Sequence, residues 1–346
     1  MSVAVGLVGF GLAGRVFHAP LILASGMEIV GVVSRQHAAV SAALPGASLL
    51  PDLGALLSRP RLDLVVIATP NDLHEAQALA ALAAGKHVVV DKPMALSSAG
   101  ADRLIQAASE SSVMLSAFHN RRWDGDFLTL RRVLDEGALG PVHSLEARWN
   151  RYRPRVPDRW RESALHGGGV LFDLGTHLID QALLLFGMPD WLQADIYTQR
   201  AGATVDDAFE LRMGKGRMRI VLGVDSLAAE PGPRFRVQGE LGSYTSEALD
   251  PQEDQSRAGM MPTDAAFGLP AQGAGGRIVE GATGRASTVA PERGRWTEYY
   301  RAVRQAVENA DAPPVGATQA RQVLRVIEAA RQSSQRGARV WLEGRP

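Results

Sequence analysis

The stretch from Val3 to Gly14, VAVGLVGFGLAG, decides the first half of the fold. Residues 3–8 are an apolar run of the length of one buried strand. Gly9-Phe10-Gly11-Leu12-Ala13-Gly14 then reads G-x-G-x-x-G, and a helical stretch is expected from about Ala13 to Ala24. A second strand pattern follows at Glu28 to Ser34 (EIVGVVS). Strand, glycine turn, helix and strand is the context in which this motif cradles a dinucleotide. Gly9 permits the tight turn, Gly11 lets backbone approach the pyrophosphate, and Gly14 allows close packing of helix on strand. The helix N-terminus adds N–H donors and the positive end of its dipole.

Working outward, the same alternation continues. Strand patterns lie at Leu62 to Thr69, Lys86 to Asp91 and Val113 to Phe118. Helix is expected at His74 to Ala84, with Asn71 and Asp72 as N-cap residues and Gly85 as the stop, and again at Ala99 to Ser109. Strands alternating with helices imply an α/β domain whose parallel sheet is covered on both faces. Near residue 120 the pattern changes. Asp124 to Glu136 is an amphipathic helix closed by Gly137, and His143 to Asn150 alternates like a strand with one wet face. Leu171 to Phe186 reads as helix, and Ala208–Met213 and Met218–Val224 as a hairpin about Gly214-Lys215-Gly216. Further strands are expected at Phe235 to Gln238 and Ser243 to Ser246, then a long loop over 251–293, then helices at Glu298 to Asn309 and Ala317 to Gln335. The second half is thus α+β with a largely antiparallel sheet.

The bulk properties narrow the functional classes. A chain of 346 residues exceeds what one hydrophobic core usually serves, so two domains are expected. Thirty-seven basic residues balance thirty-seven acidic ones, which leaves no electrostatic footprint for nucleic acid or an anionic membrane. Cysteine is absent, so disulfides, thiol nucleophiles and cysteine-ligated zinc are excluded, and no metal is expected. No apolar run is long enough to span a bilayer and no signal-peptide pattern opens the chain, so a cytoplasmic protein is expected.

Several positions then carry the chemistry. An acid at the end of the second strand would accept from the ribose hydroxyls and repel a 2′-phosphate. Here that strand ends Ser34-Arg35, a hydroxyl donor followed by a cation, which favours NADP over NAD. Arg outnumbers Lys 34 to 3, so the lysine in Asp91-Lys92-Pro93 is conspicuous. It ends a parallel strand, where ligands bind in open α/β sheets. Gly167-Gly168-Gly169 leads into a helix that places Asp173, His177, Asp180 and Gln181 along one stripe and Leu171, Leu174, Leu178, Ala182 and Leu185 along the opposite one. His177 can exchange a proton with a substrate hydroxyl. Aromatic and basic residues interleave in SAFHNRRWDGD (116–126), in Tyr152-Arg153-Pro154-Arg155 and in Asp158-Arg159-Trp160-Arg161. His119, Arg122, Trp123, Tyr152 and Trp160 are the expected contacts for a polyol or sugar, with single-stranded nucleic acid disfavoured by the zero net charge.

GFGLAG, the TPND segment from Thr69, AGKHVVVDKP (84–93) and GGGVLFDLGTHLIDQ (167–181) together resemble the Gfo/Idh/MocA oxidoreductases. The usual E-K-P stands here as Asp91-Lys92-Pro93. Within that family FHAPLI (17–22), FHNRRWDGDFLTL (118–130) and LDPQE (249–253) resemble the NADP-dependent scyllo-inositol dehydrogenase branch. The resemblance implies an N-terminal Rossmann domain over 1–120. It also implies a C-terminal α+β domain over 121–346, with an open, mostly antiparallel sheet that joins homodimers or homotetramers. It implies catalytic roles for Lys92, Asp173 and His177, and adds Thr69, Pro70, Asn71, His74 and Asp91 to the cofactor-binding set. It leaves the proton donor open between Lys92 and His177. The alternatives are a reductase of another ketose or anhydro sugar, a glycosidase using transient oxidation, and a non-catalytic NADP-binding sensor.

Overall fold

The computed structural model describes residues 2–157 and 162–342. By contacts the chain divides into two compact units, and neither is a single run of sequence. The first takes residues 1–123, 251–268 and 295–321, and the second 124–250, 269–294 and 322–346. Two later segments therefore join the first unit, which a single cut at residue 120 does not provide for.

In the first unit the strands are short and apolar because the sheet is covered on both faces. β1 (Ala4–Val8), β2 (Glu28–Val33), β3 (Ser48–Leu50), β4 (Leu64–Ile67), β5 (His87–Val90) and β6 (Leu115–Ala117) pair in parallel in the order β3-β2-β1-β4-β5-β6. Every residue of β1, β4 and β6 is buried. This is the doubly wound Rossmann order, and its direction reverses between β1 and β4, where the crevice outside the strand ends receives ligands.

Residues Ala13–His18 form a wide π turn that continues into α1 (Ala19–Ala24). The two short helices α2 (His37–Ala43) and α3 (Leu53–Leu57) were not legible in the pattern. α4 (Asn71–Ala83) begins three residues earlier than the periodicity suggests. Its N-cap is Pro70, whose carbonyl accepts from Leu73 N–H at 3.0 Å, so Asn71 and Asp72 lie in the first turn and are not caps. α5 (Ser98–Glu110) is capped by Ser97, whose hydroxyl accepts from Gly100 N–H.

The later segments of the first unit are tied in by hydrogen bonds and aromatic packing. Trp296 is fully buried, and its N–H donates to Gln252 Oε1 at 2.8 Å. Arg295 N–H donates to the Trp123 carbonyl at 2.8 Å. The helix Thr297–Asn309 brings Tyr299 and Tyr300 against Phe118, with ring centroids 4.9 and 5.7 Å away.

In the second unit α6 (Gly125–Asp135) and β7 (Val142–Arg148) precede α7 (Thr176–Phe186), and eight more strands follow. These are β8 (Trp191–Tyr197), β9 (Ala208–Lys215), β10 (Met218–Asp225), β11 (Phe235–Gly239), β12 (Gly242–Ser246), β13 (Gly276–Glu280), β14 (Ala286–Val289) and β15 (Val340–Trp341). The sheet order is β14-β13-β12-β11-β7-β10-β9-β8-β15, and only the β7–β10 pair is parallel. Leu145 and Ala147 are buried along β7, while Glu146 and Arg148 alternate with them on the wetter face. Gly223 of β10 stands between Arg148 of β7 and Glu210 of β9. With no side chain there, Arg148 lies across the strand and reaches Glu210 at 3.1 Å.

Two expectations are corrected here. The β9–β10 loop is Gly216-Arg217, closed by the Lys215–Met218 pair, so Gly214 is inside the ladder. Gly216 takes φ +50°, which suits glycine at the loop. Residues 251–293 are not a loop: they hold the helix Gln252–Arg257 and the β13–β14 hairpin. That hairpin extends one edge of the sheet through backbone bonds, and its largely exposed side chains leave no apolar alternation to read. Among the described residues, no helix is long and apolar enough to cross a membrane.

Candidate active site

The glycine turn after β1 is shaped by sterics. Gly9 takes φ +96°, and a Cβ there would lie 2.5 Å from the Ala68 carbonyl oxygen. Its N–H donates to Val33 O at 2.9 Å, tying the turn to β2. A Cβ on Gly14 would lie 2.2 Å from Gly9 O, so the helix approaches the strand as closely as glycine allows. Around Gly11, by contrast, a Cβ would meet no atom within 4 Å. Leu12 precedes the first helical turn without a side-chain cap, so the N–H groups there are available to an anion. Phe10 and Ala13 are both buried, so their side chains pack into the protein and face no ligand. The turn fits a dinucleotide pyrophosphate.

β2 ends without an acid. Ser34 Oγ accepts from Gln36 N–H at 3.0 Å, which leaves its own hydrogen to donate. Arg35 is exposed, with no ion-pair partner among the described residues. Beyond β4, Thr69 and Pro70 are half-buried, and Thr69 Oγ1 donates to Gln77 Oε1 at 2.7 Å. Asn71 is buried in the first turn of α4.

β5 ends at Asp91-Lys92-Pro93, on the same carboxyl edge of the sheet as the glycine turn. The Lys92–Pro93 peptide is cis. Lys92 N–H donates to Asp91 Oδ1 at 2.8 Å. Burial favours a neutral Asp91, but His18, Lys92 and His74 outweigh it and hold the carboxyl down at about 2. His74 is fully buried, with Nδ1 2.8 Å from Pro93 O and Nε2 2.9 Å from Thr69 O. It therefore bridges two backbone segments of the rim.

In the second unit Gly169 takes φ +104° and leads into a π turn, Leu171–Gly175, that passes into α7. Asp173 lies in the π turn and His177 in the first turn of α7. The polar stripe is not a solvated face: His177, Asp180 and Gln181 are all buried. Trp149 packs beside His177 at 6.3 Å between centroids. Behind them Arg234, itself buried, donates to Gln181 Oε1 at 2.7 Å and pairs with Asp126 at 3.1 Å, while its guanidinium lies over Trp149 and Phe235. Asp206 accepts from Leu171 N–H at 2.7 Å and so caps the segment that carries Asp173. Burial pushes the Asp206 carboxyl up, against the pull of the Leu171 N–H and Arg331. Sequence alone missed Arg234, Asp126 and Asp206. A buried charge is signalled only by its fold neighbours, and 34 arginines hide one that is buried.

The residues expected to contact substrate are placed as follows. His119 and Arg122 are buried, and Arg122 donates to Gln319 Oε1 at 3.0 Å. Trp123 is half-buried against Tyr299, and its carbonyl anchors Arg295 and Gln252. Tyr152 is exposed on the extension of β7, bridged to Leu227. Beside it Arg151, Arg153 and Arg155 line a cavity of about 520 Å³ with Arg200 and Ser226. Trp160, with Asp158, Arg159 and Arg161, lies outside the described residues. Among the described residues no group of three His, Asp or Glu side chains is arranged to hold a metal.

The chain belongs to the Gfo/Idh/MocA oxidoreductase family. Its NAD-binding Rossmann-fold model matches residues 3–119, and its C-terminal alpha/beta domain model matches residues 131–342. It is a nicotinamide-dependent oxidoreductase acting on CH–OH groups. It is 36% identical over 345 residues to scyllo-inositol 2-dehydrogenase (NADP(+)) IolW of Bacillus subtilis, covering 99% of this chain and 96% of that one. It is 40% identical over 342 residues to the uncharacterized oxidoreductase YdgJ of Escherichia coli, covering 99% of each. The solved structure of YvaA from Bacillus subtilis matches it at a TM-score of 0.96, with 36% identity over 99% of each chain.

Proposed function

We propose that this protein is an NADP-dependent dehydrogenase of a cyclic polyol, with scyllo-inositol and its ketone, scyllo-inosose, as the substrate pair. One observation carries the reading. Lys92 stands at the carboxyl edge of the same sheet as a glycine cradle whose second strand ends in Ser34-Arg35 and lacks an acid. The full-length similarity to a relative named for this reaction supports it.

Gly9 to Gly14 would hold the pyrophosphate, Ser34 and Arg35 the 2′-phosphate, and the Thr69–Asn71 rim the remainder of the cofactor. Bound NADP supplies the two-electron acceptor for the hydrogen on the substrate carbon. The protein supplies proton chemistry and orientation. His177 accepts the hydroxyl proton as the carbonyl forms, and returns it in reduction. Lys92 donates a hydrogen bond to the same oxygen, stabilising its developing negative charge. Asp173 orients the ring by accepting from a neighbouring hydroxyl. Assembly into a homodimer or homotetramer through the nine-stranded sheet belongs to the same proposal, and light scattering tests it.

The test is NADPH formation, followed by absorbance, with scyllo-inositol, myo-inositol and hexoses offered separately, and with NAD as the control. Rapid reduction of NADP by scyllo-inositol, with little by the others, is expected. Turnover confined to a hexose, or equal use of NAD, overturns the substrate or the cofactor assignment respectively.

A further inference from the structure

Lys92 is flanked on both sides by residues that buried histidines engage. On its C-terminal side the Pro93 carbonyl meets His74 Nδ1 at 2.8 Å. On its N-terminal side Asp91 is a hub. Its Oδ1 accepts the Lys92 N–H, while its Oδ2 faces His18 Nε2 at 3.8 Å, an electrostatic contact longer than a hydrogen bond. His18 comes from the π turn that follows the glycine cradle, is wholly buried, and lies against Phe118 at 4.3 Å between ring centroids. Its other nitrogen, Nδ1, is 2.6 Å from Tyr300 Oη.

The partners determine which way the ring is protonated. Tyr300 is fully buried, and burial, with Tyr299 and the Asp91 charge adding to it, raises its pKa and keeps the phenol protonated. A neutral phenol can donate to Nδ1 or accept from it; with Asp91 Oδ2 facing Nε2, the ring hydrogen lies on Nε2 and the phenol donates to Nδ1. The opposite tautomer would turn a lone pair toward an anion.

We propose that His18 is a positioning residue for Lys92: Tyr300 donates to its Nδ1, its Nε2–H steadies the Asp91 carboxylate, and the carboxylate fixes the lysine backbone. The proposal rests on the reading of Lys92 as catalytic. It assigns a task to a histidine and a tyrosine that meet no substrate, and ties the cofactor turn to the lysine loop.

The chain has only three lysines, Lys86, Lys92 and Lys215, which makes a direct test practical. Reductive methylation with ¹³C-formaldehyde gives one NMR signal for each lysine and one for the α-amino group, and Lys92→Arg identifies the Lys92 signal. In Tyr300→Phe, which removes a single oxygen, and in His18→Gln, the Lys92 signal is expected to shift and broaden, with Lys86 and Lys215 unmoved. With unmethylated protein, kcat on scyllo-inositol should fall by about tenfold to a hundredfold, as displacement of a reacting group does, while the NADP Kd stays at its parent value. A Lys92 signal at its parent position in both variants overturns the proposal. So does joint displacement of all three lysine signals, which reports general loosening. If the parent protein does not oxidise scyllo-inositol, the substrate assignment fails, and the NMR comparison still decides the role of His18.

Discussion

His74 Nδ1 and the carbonyl oxygen of Pro93 meet at 2.8 Å, one residue beyond Lys92, while the other ring nitrogen faces the Thr69 carbonyl at 2.9 Å. Burial lowers the His74 pKa, against the pull of the Pro93 carbonyl, the Asp91 charge and the Thr69 carbonyl. A neutral ring donates to one of these two carbonyls, so His74→Leu leaves that carbonyl without its donor and is expected to cost about 1–3 kcal/mol of stability. Folded His74 binds its proton less readily than the unfolded residue does. Its contribution is therefore fully present above pH 6.5 and declines as the pH falls below that value. Urea unfolding of parent and variant at several pH values measures both effects.

The cradle glycines should separate folding from binding. A methyl on Gly14 would lie 2.2 Å from a carbonyl oxygen, so Gly14→Ala should lower stability by about 1–3 kcal/mol. A Cβ on Gly11 meets no atom within 4 Å, so Gly11→Ala should unfold at about the parent temperature. It should nevertheless raise the NADP Kd by more than about tenfold, because its side chain stands where the cofactor phosphates would lie. Thermal unfolding beside fluorescence titration with NADPH distinguishes the two.

Arg35 is exposed, so its removal should leave the fold intact. A hydrogen bond to a charged group contributes about 1.5–3 kcal/mol. Arg35→Ala should therefore weaken NADP binding by roughly tenfold to a hundredfold and leave NAD binding where it was. Calorimetric titration with the two cofactors is the check, and equal losses for both would remove Arg35 from 2′-phosphate recognition.

Asp206 caps the segment that carries Asp173. Asp206→Ala should cost about 1–2 kcal/mol, and kcat should fall along with stability. Asp206→Asn, which keeps an oxygen for the Leu171 N–H, should recover most of both. Circular dichroism melting and steady-state kinetics on the pair give the answer.

How much of this was legible beforehand depended on what each residue does. β1, β4 and β5 announce themselves because both faces of each strand are buried, and a run such as LVVI permits little else. Lys92 stood out because lysine is scarce and because it ends a parallel strand. β13 and β14, by contrast, are held by backbone pairing at a sheet edge, and GRIVE and ASTV carry no face that must be hidden. Asp206 and Arg234 look like surface charges in the sequence. Only the fold brings Leu171 N–H to one and Gln181 and Asp126 to the other. His74 and His18 were visible as residues, but a ring between two carbonyls, or between a phenol and a carboxylate, is a relation among distant segments.

The Arg121–Glu253 pair gives a pH signature. Burial favours the neutral acid, yet Arg121, with Arg257 beside it, moves the Glu253 carboxyl from 4.5 down to about 2. The folded state therefore holds this proton less readily than the unfolded chain does. The stabilisation, about 2 kcal/mol after allowance for partial exposure, is fully present above pH 4.5 and is lost as the pH falls toward 2. The difference in unfolding free energy between parent and Glu253→Gln should be largest near neutral pH and shrink through that window. A difference independent of pH would show that the ion pair is not its source.

The discontinuous make-up of the first unit has a bearing on how the protein is born. Phe118 and Trp123 leave the ribosome early, while Tyr299 and Tyr300, the rings that pack against them, are encoded almost at the end of the unit. At about 5–20 residues per second, the interval is roughly ten to forty seconds. During that time the nascent sheet carries an uncovered aromatic surface and a β5 rim that lacks the Tyr300 contact to His18. The cradle can form early, but the lysine loop reaches its final environment only when residues 295–321 arrive. For a cell, the cost of stitching one nucleotide-binding unit from three pieces of chain is a period of dependence on whatever shields exposed hydrophobic surface during translation.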